Sequence, residues 1–329
     1  MQTVESIGPT QLSFERLNYE VPYVPGSMSD GRKLGLAVGS GGAAGPISLG
    51  ALVTLLDLGV FESLDAVYGV SVGGFNVAAA VARQIETALK GYNTMTESDF
   101  IKWLRVYKIM DLGILKRVIM HDAHGLDIDA IADSPIPINI GVTRLSGGIQ
   151  PVSFDLTKIG KDSIVDVLLW GASVPGATGL SPRDRKNIGE GRNTAYADGG
   201  FSILSAVDMA KSDGCTDIIY LPNQKFEADE RQNWQVALFG SLMSPYDKRA
   251  LFKFSNIVDA QIKSREVFLD GEFNYQGAMV EAFYPPPAPK LPTFWNKDKE
   301  KIVFGFEWTK THVLNRLTGL YPEWVPLLT

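Results

Sequence analysis

The sequence is poor in the residues on which much enzyme chemistry rests: 329 residues contain one cysteine and three histidines. A lone thiol, Cys215, excludes an intrachain disulfide framework, fits a reducing compartment and reads as a buried bystander. Of the histidines, His121 and His124 form an H-x-x-H with no third ligand apparent, which reads as a solvated turn rather than a metal site. No run of lysine and arginine stands out and the net charge is -6, so the electrostatic footprint of a nucleic-acid binder is missing. Long apolar runs are also missing. The best candidate for a span, Ile164 to Leu180, is interrupted by Asp166, Pro175 and glycines. The opening residues, MQTVESIGPTQLSFERL, carry an early acid and no apolar core, so no secretory leader is expected. The expected location is cytoplasmic or peripheral to a membrane, with export that needs no cleaved leader left open.

What the chain has in quantity is glycine, 33 residues, within an ordinary globular composition that is 45% hydrophobic. Residues 1–33 read as an irregular arm. LGLAV (Leu34–Val38) reads as a buried strand, GSGGAAG (Gly39–Gly45) as a loop, and Pro46–Val60 as a helix stopped by Gly59. AVYGV (Ala66–Val70) reads as a second buried strand and Val72–Leu89 as one helix. Strand, glycine loop, helix, strand, sharp turn and helix spell an α/β protein with three layers, α/β/α, around a largely parallel sheet. Further on, Asp99–Ile119 reads as helix. Pro135–Thr143 and Gly148–Leu156 read as paired strands, Ser163–Gly171 as a helix, and Asn193–Ala197 as a short strand ending at Asp198. Val207–Lys211 reads as helical and DIIYL (Asp217–Leu221) as a buried strand. Gln232–Lys263 reads as one or two helices broken near Pro245, Tyr284–Pro292 as a stiff proline-rich loop, and Thr309–Leu317 as a last helix. No repeat or linker interrupts this, so a single domain over residues 1–329 is expected.

Three stretches carry candidate chemistry. In Gly-Val-Ser-Val-Gly, Gly69 and Gly73 flank Ser71 at a strand-to-helix junction. A nucleophile elbow needs small residues two positions either side of a serine held in a strained turn, and the helix start favours developing negative charge. In GSGGAAG, consecutive glycines open backbone N–H groups to an anion, which suits an oxyanion hole. Gly39, Gly41 and Ala44 also fit G-x-G-x-x-A, the dinucleotide fingerprint. That fingerprint needs an acid at the end of the second strand, whereas Glu62 and Asp65 precede it. In ADGG, Asp198 is followed by Gly199 and Gly200, which allows close approach of another loop; a plain turn has the same composition.

A serine nucleophile needs a proton acceptor. The order Ser71, Asp198, His312 permits a Ser-His-Asp hydrolase, but only one strand and one helix precede the elbow and His312 lies in a stretch that reads as helix, WTKTHVLNRL. Without a histidine, Asp198 must take the proton itself, and desolvation would make it a better base.

Taken together and in order, the glycine loop after the first strand, the G-x-S-x-G elbow about thirty residues later and the distant D-G-G resemble the patatin-like phospholipases. The resemblance runs from Lys33 to Lys211 and includes WGASVPGATGLSP (Trp170–Pro182). It implies a lipid acyl hydrolase of phospholipase A or lysophospholipase type with a serine–aspartate dyad: Ser71 as nucleophile, Asp198 as general base. It places an oxyanion hole at Gly41 and Gly42 with Ser40 beside them. Gly69, Gly73, Gly199 and Gly200 would support both turns. It implies no metal or organic cofactor, a phospholipid or other lipid ester as substrate, transient membrane association and, in some members, a protein activator. Ala44 and Ser48 depart from the arginine and histidine common in the family. Transfer of the acyl group to an acceptor other than water, or a catalytically impaired lipid-binding module on the same scaffold, remain alternatives. Phe294 and Trp295, in FWNKDKEK, are candidates for a membrane interface, and Arg183, Arg185 and Lys186 for a headgroup phosphate.

Overall fold

A computed structural model describes residues 7–18, 22–27, 29–97, 100, 109–120, 125–189, 191–223, 237, 240–267, 271–288, 290–293 and 298–322. Within them eight strands form one sheet: β1 (Leu34–Val38), β2 (Ala66–Val70), β3 (Ile138–Arg144), β4 (Gln150–Asp155), β5 (Tyr196–Asp198), β6 (Asp217–Leu221), β7 (Gly271–Tyr275) and β8 (Ala278–Ala282). The order is β4-β3-β2-β1-β6-β8-β7, with β5 also paired to β3. The central pairs β3–β2, β2–β1, β1–β6 and β6–β8 are parallel. β1, β2 and β6 are buried along their whole length, which is why each reads as an unbroken apolar run.

Helices cover both faces. Strand alternation sends Leu34, Leu36 and Val38 into one core and Ala37 into the other. The first core is closed by α2 (Pro46–Asp57), α3 (Val72–Val81), α7 (Lys161–Gly171) and α10 (Lys299–Leu320). The second is closed by α8 (Ala206–Ser212). The result is a three-layer α/β/α sandwich. The remaining helices are α1 (Pro9–Leu17), α4 (Ile85–Glu97), α5 (Leu112–Met120), α6 (Ile128–Ala132) and α9 (Ala250–Val267).

Several expectations need correction. The arm expected to be irregular contains α1, begun by Pro9 at its first turn. Leu12 and Phe14 join the core, and Arg16 is fully buried, its guanidinium 2.8 Å from Asp30 and 2.9 Å from Asp65. The helix expected over Val72–Leu89 is two. α3 ends in a Schellman turn, the Gln84 N–H donating to Ala79 and the Arg83 N–H to Ala80, with Arg83 at φ 58°. An arginine in a conformation usually given to glycine leaves no sequence signal. The β7–β8 hairpin pairs Gly271–Tyr275 with Ala278–Ala282 without a clear turn motif in the sequence. Its turn places Gln276 (φ 51°) and Gly277 (φ 88°) in the left-handed region without the usual asparagine. The final helix runs from Lys299 rather than Thr309, capped by Asp298 accepting from the Glu300 N–H at 2.9 Å. The helix expected over Asp99–Ile119 is described only as α5; within Gln232–Lys263 the chain turns at residues 243–249, around Pro245, before α9, as expected, while residues 232–236, 238 and 239 lie outside the described residues, as do His121, His124, Phe294 and Trp295.

Candidate functional site

Strand register brings the two distant sequence stretches together. β4 pairs along one edge of β3, from Asn139 to Arg144. The other edge is shared: β2 occupies its first half, ending with Val70 opposite Gly141, and β5 runs antiparallel along its second half, ending with Asp198 opposite Val142. β2 and β5 therefore meet end to end, and the residue after Val70 faces the last residue of β5. Ser71 Oγ donates to Asp198 Oδ2 at 2.5 Å across 127 residues of sequence.

Each partner is fixed by its backbone. Ser71 has φ 57° and ψ -129°, a conformation a serine rarely adopts and holds only where its surroundings impose it. A Cβ on Gly69 would fall 2.5 Å from the Gly74 backbone, and one on Gly73 would fall 2.5 Å from the Val38 carbonyl oxygen and 2.6 Å from that of Gly39. The flanking glycines are thus required by the elbow and by the glycine loop lying against it. Asp198 is held by its N–H donating to Ser173 O at 2.7 Å and by Thr143 Oγ1 donating to its carbonyl at 2.7 Å. The Gly200 N–H donates to Asp198 Oδ1 at 2.8 Å, leaving Oδ2 to Ser71. A Cβ on Gly199 would meet the Gly141 carbonyl oxygen at 2.5 Å, so that glycine lets the turn close over β3.

Asp198 is only 7% exposed, and burial pushes its carboxyl up to about 6, against smaller opposing effects of the Ser71 and Gly200 hydrogen bonds. This sign gives a stability prediction. Between about pH 4 and 6 the unfolded chain ionises this carboxyl while the folded chain keeps its proton. The folded state's advantage is therefore full below pH 4 and lost as pH rises through 6. Asp198→Asn, which can keep the Gly200 bond, is expected to stabilise the protein by about 3 kcal/mol at pH 8 and by almost nothing at pH 4. Urea unfolding of both proteins at the two pH values checks this.

Ser71 and Asp198 open on a cavity whose lining also includes Gly42 and Ala43 from the glycine loop. The rest is overwhelmingly apolar, with Phe75, Met95, Phe100, Leu115, Leu168 and Ile302 among its walls. The amides of Gly42 and Ala43 find no acceptor among the described residues. Of the three loop residues expected at the oxyanion position, Gly42 (φ 55°) lines the cavity; Ser40 and Gly41 do not, and Gly41 packs on Asn223. His312 lies on α10 and does not line the cavity. Neither do Arg183, Arg185 and Lys186; Lys186 is 2.8 Å from Asp166. Cys215 is buried, its Sγ 3.4 Å from the Tyr68 hydroxyl. Asp65 precedes β2, at the strand end opposite the glycine loop, and accepts from Arg16, Tyr23 and the Leu34 N–H, so it cannot serve a nucleotide ribose there. Glu62 is engaged by Arg83. Sequence reasoning missed Thr143, Ser173 and Asn223, whose roles come from register rather than motif. The small-residue stretch holding Ser173 was visible, but not its purpose. Among the described residues no group of three or more His, Cys, Asp or Glu could hold a metal ion.

A sequence model of the family described as patatin-like phospholipase matches residues 36–210, more than half of the chain. No curated protein matches the chain. Among solved structures, VipD from Legionella pneumophila is similar, with 13% identity, a TM-score of 0.44, and coverage of 88% of this chain and 67% of that one.

Proposed function

The chain belongs to the patatin-like phospholipase family, a family of lipid acyl hydrolases, and from that premise we propose that it cleaves carboxylic esters of membrane lipids through Ser71 and Asp198. The observation that carries the reading is the 2.5 Å hydrogen bond between a serine in a strained elbow and a buried aspartate. At neutral pH a carboxyl near 6 is largely ionised, yet basic enough to take a proton in the transition state. Ser71 Oγ attacks the ester carbonyl as its proton passes to Asp198. The carbonyl oxygen gains negative charge beside the Gly42 and Ala43 amides and the start of α3. The tetrahedral intermediate collapses, and the alcohol or lysolipid leaves with the proton that Asp198 returns. Water, deprotonated by the same carboxylate, then attacks the acyl-serine and releases the fatty acid and Ser71.

The apolar cavity supports an acyl chain as the group held beside Ser71. Access to a bilayer is proposed through the start of α10. Ile302 lines the cavity, while Val303 and Trp308 on the same helix are exposed and Lys299 and Lys301 lie beside them. An aromatic and an aliphatic group amid lysines suit a membrane interface. The test is fatty-acid release from phospholipid vesicles together with co-flotation. Wild type is expected to float and release fatty acid. Replacing Val303 and Trp308 with serine is expected to weaken flotation about tenfold with little change in hydrolysis of a soluble short-chain ester. Equal flotation of both proteins would contradict this face.

A further inference from the structure

Glycine loops are conformationally free unless something holds them, and here two buried asparagines do. Asn223 follows β6, which lies parallel to β1 with Leu221 opposite Val38, so it emerges beside the start of the glycine loop. Its Nδ2 donates to Gly39 O at 2.7 Å and its Oδ1 accepts the Ser48 N–H at 2.9 Å. One amide side chain, 1% exposed, thus bridges the loop's first residue and the first turn of α2. One contact demands a donor and the other an acceptor, so the amide's orientation is determined. A Cβ on Gly41 would lie 2.4 Å from Asn223 Cβ, so glycine there is what admits the asparagine.

From the other side comes Asn76, on α3 five residues after Ser71. Its Nδ2 donates to Gly45 O at 2.8 Å and to Ser48 Oγ at 2.9 Å, and its Oδ1 accepts from the Tyr92 hydroxyl at 2.8 Å. Ser48, Asn76 and Tyr92 are all buried. The two amides meet at Ser48, one on its N–H and one on its hydroxyl. Gly42 and Ala43, the loop residues that line the cavity beside Ser71, lie between the clamped ends.

We propose that Asn223 is a positioning residue for ester hydrolysis: with Asn76, it locks the Gly42 and Ala43 amides in place relative to Ser71 Oγ. The proposal rests on the assignment of Ser71, Asp198 and the glycine loop made above. Donors aimed at developing charge are effective because they need no reorganisation, and misplacement by about 1 Å can cost about 10²-fold.

The test is Asn223→Asp, assayed at pH 8. The carboxylate keeps the shape and the acceptor for the Ser48 N–H, but turns the donor to Gly39 into an oxygen facing an oxygen. On a soluble ester, kcat is expected to fall about 10²-fold with KM changed less than about threefold. The rate of Ser71 labelling by a fluorophosphonate is expected to fall in parallel. Asn223→Ala removes both bonds without adding charge and is expected to move the same parameters in the same direction. Wild-type kcat in either folded variant, or a rise in KM alone, would overturn the proposal. So would failure of both to fold, which would assign Asn223 to the core instead. Ser71→Ala separates the two ideas. If it is inactive while Asn223→Asp is fully active, only the clamp fails; if it is active, the underlying assignment fails and the clamp with it.

Discussion

Ser71→Ala is expected to lower fatty-acid release by about 10⁴-fold or more, and Asp198→Asn by a similar factor, because each removes one half of a proton-transfer pair. The double variant should be little worse than either single one, since the two groups act in one step and their effects do not add. The reason the losses should match lies in the geometry. Among the described residues the Asp198 carboxylate has no side-chain hydrogen-bond partner besides Ser71: Oδ2 takes the Ser71 hydroxyl and Oδ1 the Gly200 N–H. Asparagine in its place retains the fold and the Gly200 contact but cannot accept a proton. The variant should therefore be inactive and, above pH 6, more stable than the parent, a combination that a general loss of structure would not produce. Fatty-acid release from vesicles and a soluble-ester assay, both corrected for folded fraction, check the prediction.

The second large effect is on the fold and the site together. Gly73→Ala places a methyl 2.5 Å from the carbonyl oxygen of Val38, the last residue of β1, and 2.6 Å from that of Gly39, the first of the glycine loop, and backbone atoms have no side-chain freedom to yield. The expected cost is about 3 kcal/mol or more, and in whatever folded fraction remains hydrolysis is expected to fall about 10²-fold as the loop is driven off the elbow. Gly74→Ala, one residue on, is the control. Its methyl would press on the Ile140 side chain at 3.2 Å and reach the Gly69 carbonyl oxygen at an ordinary 3.6 Å, and alanine favours the helix, so its effect is expected to stay within about 1 kcal/mol. Urea midpoints and kcat for the two variants check the contrast. Equal destabilisation would mean that the loop and the elbow are not in the contact described.

Much of this arrangement was readable in the sequence because parts of it are enforced locally. β1, β2 and β6 were bounded to the residue, since strands buried on both faces admit only apolar side chains. Ser71 was readable because the elbow excludes side chains at Gly69 and Gly73. Asp198 was readable only in company: Asp-Gly-Gly alone is a turn, and its meaning comes from β5 ending where β2 ends along β3. What was not readable depends on partners distant in sequence. Arg16 is buried because Asp30 and Asp65 come to it, so α1 looked like part of an arm. Arg83 occupies a helix-ending conformation without being glycine. Asn223 gains its role from β6 lying next to β1, and nothing in Leu-Pro-Asn announces it. Gly41 is glycine for a related reason that the loop motif does not announce: an asparagine leans on it, and a Cβ there would fall 2.4 Å from Asn223 Cβ.

The central claim is that Asp198, without a histidine, activates Ser71. It is tested most directly by the pH dependence of Ser71 labelling by a fluorophosphonate in wild type, Asp198→Asn and His312→Ala. The account predicts a wild-type rate that falls about tenfold per unit below pH 6, following the raised carboxyl. It predicts the same profile in His312→Ala and a slow, flat profile in Asp198→Asn. A wild-type profile surviving in Asp198→Asn, or lost in His312→Ala, would contradict it.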